Sequence, residues 1–380
     1  MPSASTAAAP AAPRGPTGGT STPLHVVVCL FGVIQRSVRV TWPSVATHVI
    51  DHLRRHHFRV SVFVYSLDID FDRVKVDGCL LNATDLQLIP YDVLEVERQS
   101  EVDALIDSQC LPTLERCPVL KTQNLSRAVR RNALRQMHSE AAIGRFLART
   151  AGQYDLGVVV GPDFYLVHDI NLEHVRKAAR SPKSVFTTLG YQAGGYTNGY
   201  YIGQIRPLAR ILRRAEDYFA SKLRVPRGSG YEKTLEVSFG VYDVWHKTTD
   251  QIFFKVRANA ALPNYTRPYL FNRGQNRLTA EARKRIKAEL GRLEALMAPV
   301  GQHCLASVPP ACFQQPLAST CPAATVESSA RPAPDAARAI VAPLSGTACS
   351  DVCQMTRKPS EKRVARPKGR WIRAFNASRI

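Results

Sequence analysis

The chain contains no apolar run approaching the roughly 18 residues that a membrane-spanning helix needs. Its longest apolar strand candidate, Val26 to Ile34, is interrupted by Gly32, so a helical membrane protein is not expected. A GxxxxGK[ST] loop, a GxGxxG turn after the first strand candidate, a GxSxG elbow and an HExxH pair are all missing. P-loop NTPase, classical dehydrogenase, serine hydrolase and zinc protease readings lose their support with them. The nine cysteines form no CxxC…CxxC frame and have no matching histidine pair, so a zinc site is not expected and the thiols are expected to be reduced. The first residues lack a basic segment followed by an apolar one, which argues against a secretory signal and makes the cytoplasm the expected location. Sequons at Asn82, Asn124, Asn264 and Asn376 matter only if the chain enters the secretory pathway.

Acidic residues are scarce. There are 31 Asp and Glu against 51 Lys and Arg, a formal charge of +20 in 380 residues. Such an excess points to an anionic partner: nucleic acid, a membrane surface or a phosphorylated small molecule. Residues 351–380 carry nine Lys/Arg and two acids, and a solvated tail explains them. Residues 116–149 are more informative, with eight Lys/Arg against Glu140 alone. They include Arg130, Arg131 and Arg135, and the last two are one helical turn apart on one face.

Composition separates three zones: a disordered Ala/Pro/Ser/Thr-rich segment over 1–23, a periodic region over 24–298, and a low-complexity, basic tail over 299–380. In the central zone, His25–Leu30 and Val60–Ser66 read as buried strands, Val93–Glu97 as a short third strand and Asp155–Val160 as a fourth. Further strands are expected at Ser184–Thr188, Tyr200–Gly203 and Ile252–Val256. Helices are expected over Ser44–Arg55, Leu125–Thr150 and Thr279–Met297. This alternation predicts an α/β fold with a mostly parallel central sheet and helices on both faces. Ligands bind such sheets at the carboxyl ends of the strands, so the residues just after each strand are the candidate site.

After the first strand, Gly32 permits a tight turn and Arg36 can meet an anion. After the second, Asp68 and Asp70 suggest a metal site, with a polar loop as the plainer reading. After the fourth, Gly161-Pro162 forces a turn that presents Asp163 at the sheet edge. A carboxylate there can hold a divalent cation or cap the following turn. Gly194 to Gly203 mixes glycines, Asn198 and Tyr200, which suits sugar hydroxyls. It equally suits a hairpin with Asn198-Gly199 as its turn. Glu232, at the start of a helix, is a candidate base or an exposed helix acid. Lys255 and Arg257 lie on one face of the strand candidate at Ile252–Val256 and read as a solvated face or an anion pocket.

Taken in order, Phe31-Gly32-Val33-Ile34-Gln35-Arg36 with Trp42, Asn132 to Glu140, Gly161-Pro162-Asp163, Asn198 to Gly203, Glu232 and Ile252 to Asn259 resemble a group of GT-A-type glycosyltransferase-like proteins found in algae, bacteria and large DNA viruses. The resemblance covers about residues 25–262. It implies a three-layer nucleotide-diphospho-sugar transferase fold, a nucleotide near Phe31, Gly32 and Arg36, and Asp163 in the region of a metal-binding Asp-x-Asp motif, with Mn²⁺ or Mg²⁺ as cofactor. Gly161 stands where a first Asp is expected, so only one carboxylate is supplied, and Arg130, Arg131 and Arg135 are candidates to share the diphosphate charge. Asn198 and Tyr200 are expected at the donor sugar or acceptor, Lys255 and Arg257 among the substrate-binding residues, and Glu232 as the base if the reaction inverts the anomeric centre. The function so implied is sugar transfer from a nucleotide-sugar donor to a glycan, protein or lipid acceptor. The alternatives are a non-catalytic nucleic-acid-binding protein that uses its basic tail, and a degenerate transferase that binds without turnover.

Overall fold

The strand His25–Gly32 (β1) is buried over Val26–Phe31, as a continuous run of large apolar residues must be when both faces of a sheet are covered. It pairs in parallel with Arg59–Asp68 (β2) on one side and Leu156–Val160 (β6) on the other. In this computed structural model, residues 22–110, 127–188, 195–226, 230–259, 261, 280–297 and 304–307 are described. Val93–Arg98 (β5) extends the sheet beyond β2. Tyr200–Gln204 (β9), Ser184–Thr188 (β8) and Trp245–Thr249 (β10) extend it beyond β6. The order is β10-β8-β9-β6-β1-β2-β5. Four pairings are parallel, and β9 runs antiparallel to both its neighbours.

The two-residue alternation of the strands divides the core. Val26, Val28 and Leu30 pack with Val45, Val49 and Leu53 and with Val175. These helical residues come from α1 (Val38–Val45), a π turn over Ala46–Asp51, α2 (His52–Arg55) and, for Val175, α5 (Leu172–Arg180). Val27, Cys29 and Phe31 face the other layer, with Ile106, Leu134, Phe146, Leu208 and Leu235. That layer comprises α3 (Gln99–Cys110), α4 (Arg127–Arg149), α6 (Ile205–Leu212), α7 (Arg214–Phe219) and α8 (Tyr231–Val241). The result is the expected α/β arrangement in three layers with a mostly parallel sheet. A last helix, α9 (Ala280–Met297), packs Ile286, Leu290 and Leu293 against Tyr165, Phe254 and Val256.

Three expectations are corrected. Asn198-Gly199 does not form a type I′ hairpin turn: only Gly199 has positive φ, whereas a type I′ turn needs it at both central residues. The strand expected over Ile252–Val256 is Phe253–Lys255 (β11), and it pairs antiparallel with Phe164–Leu166 (β7) outside the main sheet. Nor are the cysteines uniformly reduced. Cys79 and Cys304 form a disulfide, Cys110 is disulfide-bonded, and Cys29 is a free, buried thiol. The expectations for residues 1–21 and 308–380 lie outside the described residues.

Among the described residues, one ion pair has no exposed side-chain surface at all. Glu140 on α4 and Arg214 on α7 are both fully buried and directly paired. Burial opposes the charge of Arg214, but Glu140 and the Tyr201 and Tyr231 hydroxyls outweigh it and raise its pKa. Removing one partner of such a pair strands the other. Arg214→Met is therefore expected to cost about 3–5 kcal/mol in urea denaturation. A loss near zero will show that the pair is not needed for the fold.

Candidate active site

Where β6 ends, Gly161-Pro162-Asp163 is fastened from three directions. The Gly161 N–H donates to the Gly199 carbonyl at 2.6 Å. The Pro162 carbonyl accepts from the Ser37 and Thr41 hydroxyls at 2.8 and 2.9 Å. The Asp163 carbonyl accepts from the Val256 N–H at 2.8 Å. Asp163 is 8% exposed and lines a cavity of about 680 Å³ at the carboxyl ends of β1, β2 and β6. That volume lies within the range of small-molecule sites, roughly 300–1,000 Å³.

Phe31, Gly32, Arg36, Arg135, Asp163, Asn198, Glu232, Lys255 and Arg257 all line this cavity. Elements far apart in sequence thus bring together nine of the residues singled out above. Val256 is buried, and the alternation on either side of it sets Lys255 and Arg257 on the opposite, partly exposed side. The Lys255 ammonium lies 5.4 Å from the centre of the Phe164 ring.

Four candidates do not line the cavity: Tyr200, Arg131, Asp68 and Asp70. Tyr200 is fully buried in the sheet core with Val158, Val160 and Ile202, and its hydroxyl reaches Gln251 at 3.4 Å. Arg131 does not line the cavity; it is committed to both carboxylate oxygens of Asp107 on α3. Arg135 lines the cavity but is tied through two nitrogens to Asp103 and through a third to Asn132. Asp68 and Asp70 are exposed and line no part of it. The Arg130 side chain, Gly194 and the basic run at 351–380, on which the nucleic-acid alternative rests, lie outside what is described.

Sequence reasoning missed Asp77 and Lys75. Lys75–Val76 (β3) and Cys79–Leu80 (β4) form a hairpin whose turn residues, Asp77 and Gly78, have φ of 52° and 84°. Asp-Gly is the strongest two-residue hairpin signal, and it was available in the sequence. The Asp77 carboxylate receives Arg36 Nε at 2.8 Å, Arg36 Nη2 at 3.0 Å and the Ala258 N–H at 3.1 Å. Burial works to raise its pKa, but these donors and the nearby Arg257 hold it below the ordinary value. So anchored, Arg36 places Nη1 3.9 Å from Asp163 Oδ2. The disulfide fastens the hairpin to Cys304, and the neighbouring Leu305 N–H bonds the Ala258 carbonyl at 2.9 Å.

Glu232 sits in the first turn of α8. Burial raises its pKa, against its own backbone N–H, the Lys255 charge and a hydrogen bond from Asn198. Asn198 Oδ1 in turn accepts from Gln136 Nε2 at 3.2 Å, and the same nitrogen donates to Glu140 at 3.1 Å.

The donors at Asp163 do not fit a divalent cation well. Divalent cations are held by several oxygen ligands. Here Asp163 is the one carboxylate of the turn, Asp77 is occupied by Arg36, and a guanidinium stands beside Asp163. Among the described residues, no three His, Cys, Asp or Glu side chains converge on a point that could hold a metal. No described helix is long and apolar enough to cross a membrane.

The hairpin makes a measurable prediction. Because the folded pKa of Asp77 is depressed below the ordinary 3.8, its stabilisation is present above that pH and is lost as pH falls through the folded value. Asp77→Ala is expected to cost about 1–3 kcal/mol at neutral pH and to reduce the loss of stability on acidification. Cys304→Ser is expected to cost roughly 2–4 kcal/mol. Urea titrations at several pH values check both, and an unchanged acid profile in Asp77→Ala will show that Arg36 does not depend on it.

No family model matches the chain, and no curated protein matches it. Among solved structures, the chain is similar to mouse xyloside xylosyltransferase 1 in its apo form, at 8% identity and a TM-score of 0.34, over 60% of this chain and 85% of that one.

Proposed function

We propose that this chain is a GT-A-like glycosyltransferase that moves a sugar from a nucleotide-diphospho-sugar to a hydroxyl of a glycan, protein or lipid acceptor. One observation carries the proposal: Arg36, Lys255 and Arg257 share one cavity with Asp163 and with a glutamate, Glu232, whose pKa burial raises. A base with a raised pKa is suited to removing a proton near neutral pH, and clustered cations are suited to a leaving diphosphate.

In this reading Glu232 accepts the proton of the acceptor hydroxyl as that oxygen bonds to the anomeric carbon. The bond from that carbon to the diphosphate breaks, and its electron pair leaves on the diphosphate, where Arg36, Lys255 and Arg257 face it. A single displacement of this kind inverts the anomeric centre. Asn198 orients Glu232, and Asp163 accepts hydrogen bonds from donor-sugar hydroxyls. The disulfides at Cys79–Cys304 and Cys110 favour an oxidising compartment for this protein over the cytoplasm.

Purified full-length protein incubated with a panel of nucleotide sugars and mixed acceptors is expected to release nucleoside diphosphate. Glu232→Gln and Asp163→Asn should each lower that release by about a hundredfold or more. The wild-type rate should rise with pH through a value above the ordinary glutamate pKa of 4.5, and this limb should vanish in Glu232→Gln. A donor that stabilises the protein thermally but is never turned over will favour the degenerate transferase. No response to any donor will end the proposal.

A further inference from the structure

We infer that this cavity binds a diphosphate through Arg36, Lys255 and Arg257 without a divalent cation, with Asp77 as the positioning residue for Arg36. The inference deepens the transferase reading and rests on it for the nucleotide, but not for the anion. Its basis is where the charges stand. A cation bound to an Asp163 oxygen would sit roughly 2.0–2.6 Å from it, and Arg36 Nη1 is already 3.9 Å from Oδ2. The metal and the guanidinium would compete for one carboxylate, and the guanidinium is the one held in place by the protein. Two parallel hydrogen bonds fix it to Asp77, and the Ala258 N–H fixes Asp77.

The other two cations are placed by the same backbone. The Val256 N–H bonds the Asp163 carbonyl, so Lys255 and Arg257 flank the residue that pairs with Asp163. With Arg135 matched by Asp103, the described lining residues leave four cationic side chains, Arg36, Lys75, Lys255 and Arg257, against three carboxylates, Asp77, Asp163 and Glu232. The cavity therefore retains a positive excess suited to a diphosphate. A planar guanidinium offers paired N–H donors to phosphate oxygens, so no bridging metal is required to neutralise the leaving group.

The test is calorimetric titration of the full chain with inorganic pyrophosphate and, separately, with uridine and guanosine diphosphates, each in excess EDTA and in excess Mn²⁺. Binding in EDTA that Mn²⁺ does not strengthen is expected. Arg36→Ala should weaken it by roughly tenfold or more, and Asp77→Ala by a smaller factor. If Arg36→Ala does not fold, Lys255→Ala and Arg257→Ala serve in its place. Asp163→Asn separates the alternatives: without a metal, removing a negative charge leaves pyrophosphate binding unchanged or tighter, whereas a metal site loses it. Binding that appears only with Mn²⁺, or is abolished in Asp163→Asn, overturns the inference. Pyrophosphate bound in EDTA with no nucleotide bound supports the anion site and removes the nucleotide-sugar reading. No binding of either probe in any condition overturns both.

Discussion

Glu140 is a carboxylate with no access to water, and much of the site follows from satisfying it. An ionised group in such a place must be fully hydrogen-bonded. Its four donors come from four elements: Gln136 on α4 itself, Tyr201 on β9, Arg214 on α7 and Tyr231 at the start of α8. Meeting that demand joins the sheet to three helices. It also sets a direction. The Gln136 amide nitrogen must face Glu140, and it donates to Asn198 Oδ1 as well. That leaves the Asn198 amide nitrogen to bond Glu232. The carboxylate at the cavity wall is thus oriented by one inside the core, through two amides whose polarity the inner charge dictates.

The positive charge of the chain divides in an instructive way. The basic stretch over 116–149 invites an anion-binding reading, yet its described arginines are largely occupied by acids. Arg131 meets Asp107, Arg135 meets Asp103, Arg145 meets Glu216 and Arg149 meets Glu95. These pairs seat α4 against α3, α7 and β5. The cations that face Asp163 come instead from the turn after β1 and from β11 and its extension, where the sequence shows no cluster at all. Arg36 is placed there by an acid, Asp77, that lies 41 residues on.

The elements legible in the sequence are those whose pattern is local. Runs such as His25–Leu30 and Val60–Ser66 are long, β-branched and bounded, and Ser184–Thr188 matches β8 residue for residue. The strand-end rule then leads to Arg36 and Asp163, whereas Asn198 is marked by the glycine- and tyrosine-rich stretch before β9 and Glu232 by its place at the start of a helix. The misses are decided by contacts or by a single step of register. Tyr200 and Tyr201 are adjacent on β9, so one faces each side of the sheet, and nothing local says which side Tyr200 takes. The arginines of α4 look available until acids 24 and 32 residues away are folded against them. Two-residue strands such as β3 and β4 have no periodicity to read, so only Asp77-Gly78 marks the hairpin. A disulfide across 225 residues leaves no trace in cysteine spacing.

Two groups that line the cavity, Arg36 and Glu232, are supported by different parts of the chain. Arg36 depends on Asp77, Asp77 on a hairpin, and the hairpin on Cys304, near the end of the described chain. Glu232 depends on Asn198, in the segment before β9, and through it on Gln136 and Glu140 of α4. Apart from Lys255, whose charge acts on Glu232, the two chains of support share no described side chain. Sites without common partners respond independently. The protein can therefore hold a cationic group and a raised-pKa carboxylate in one cavity without either fixing the other's position. That independence suits a displacement reaction, in which the group that takes the proton and the guanidinium that meets the leaving charge act on different atoms, while Lys255 is the one cation whose charge also acts on the base.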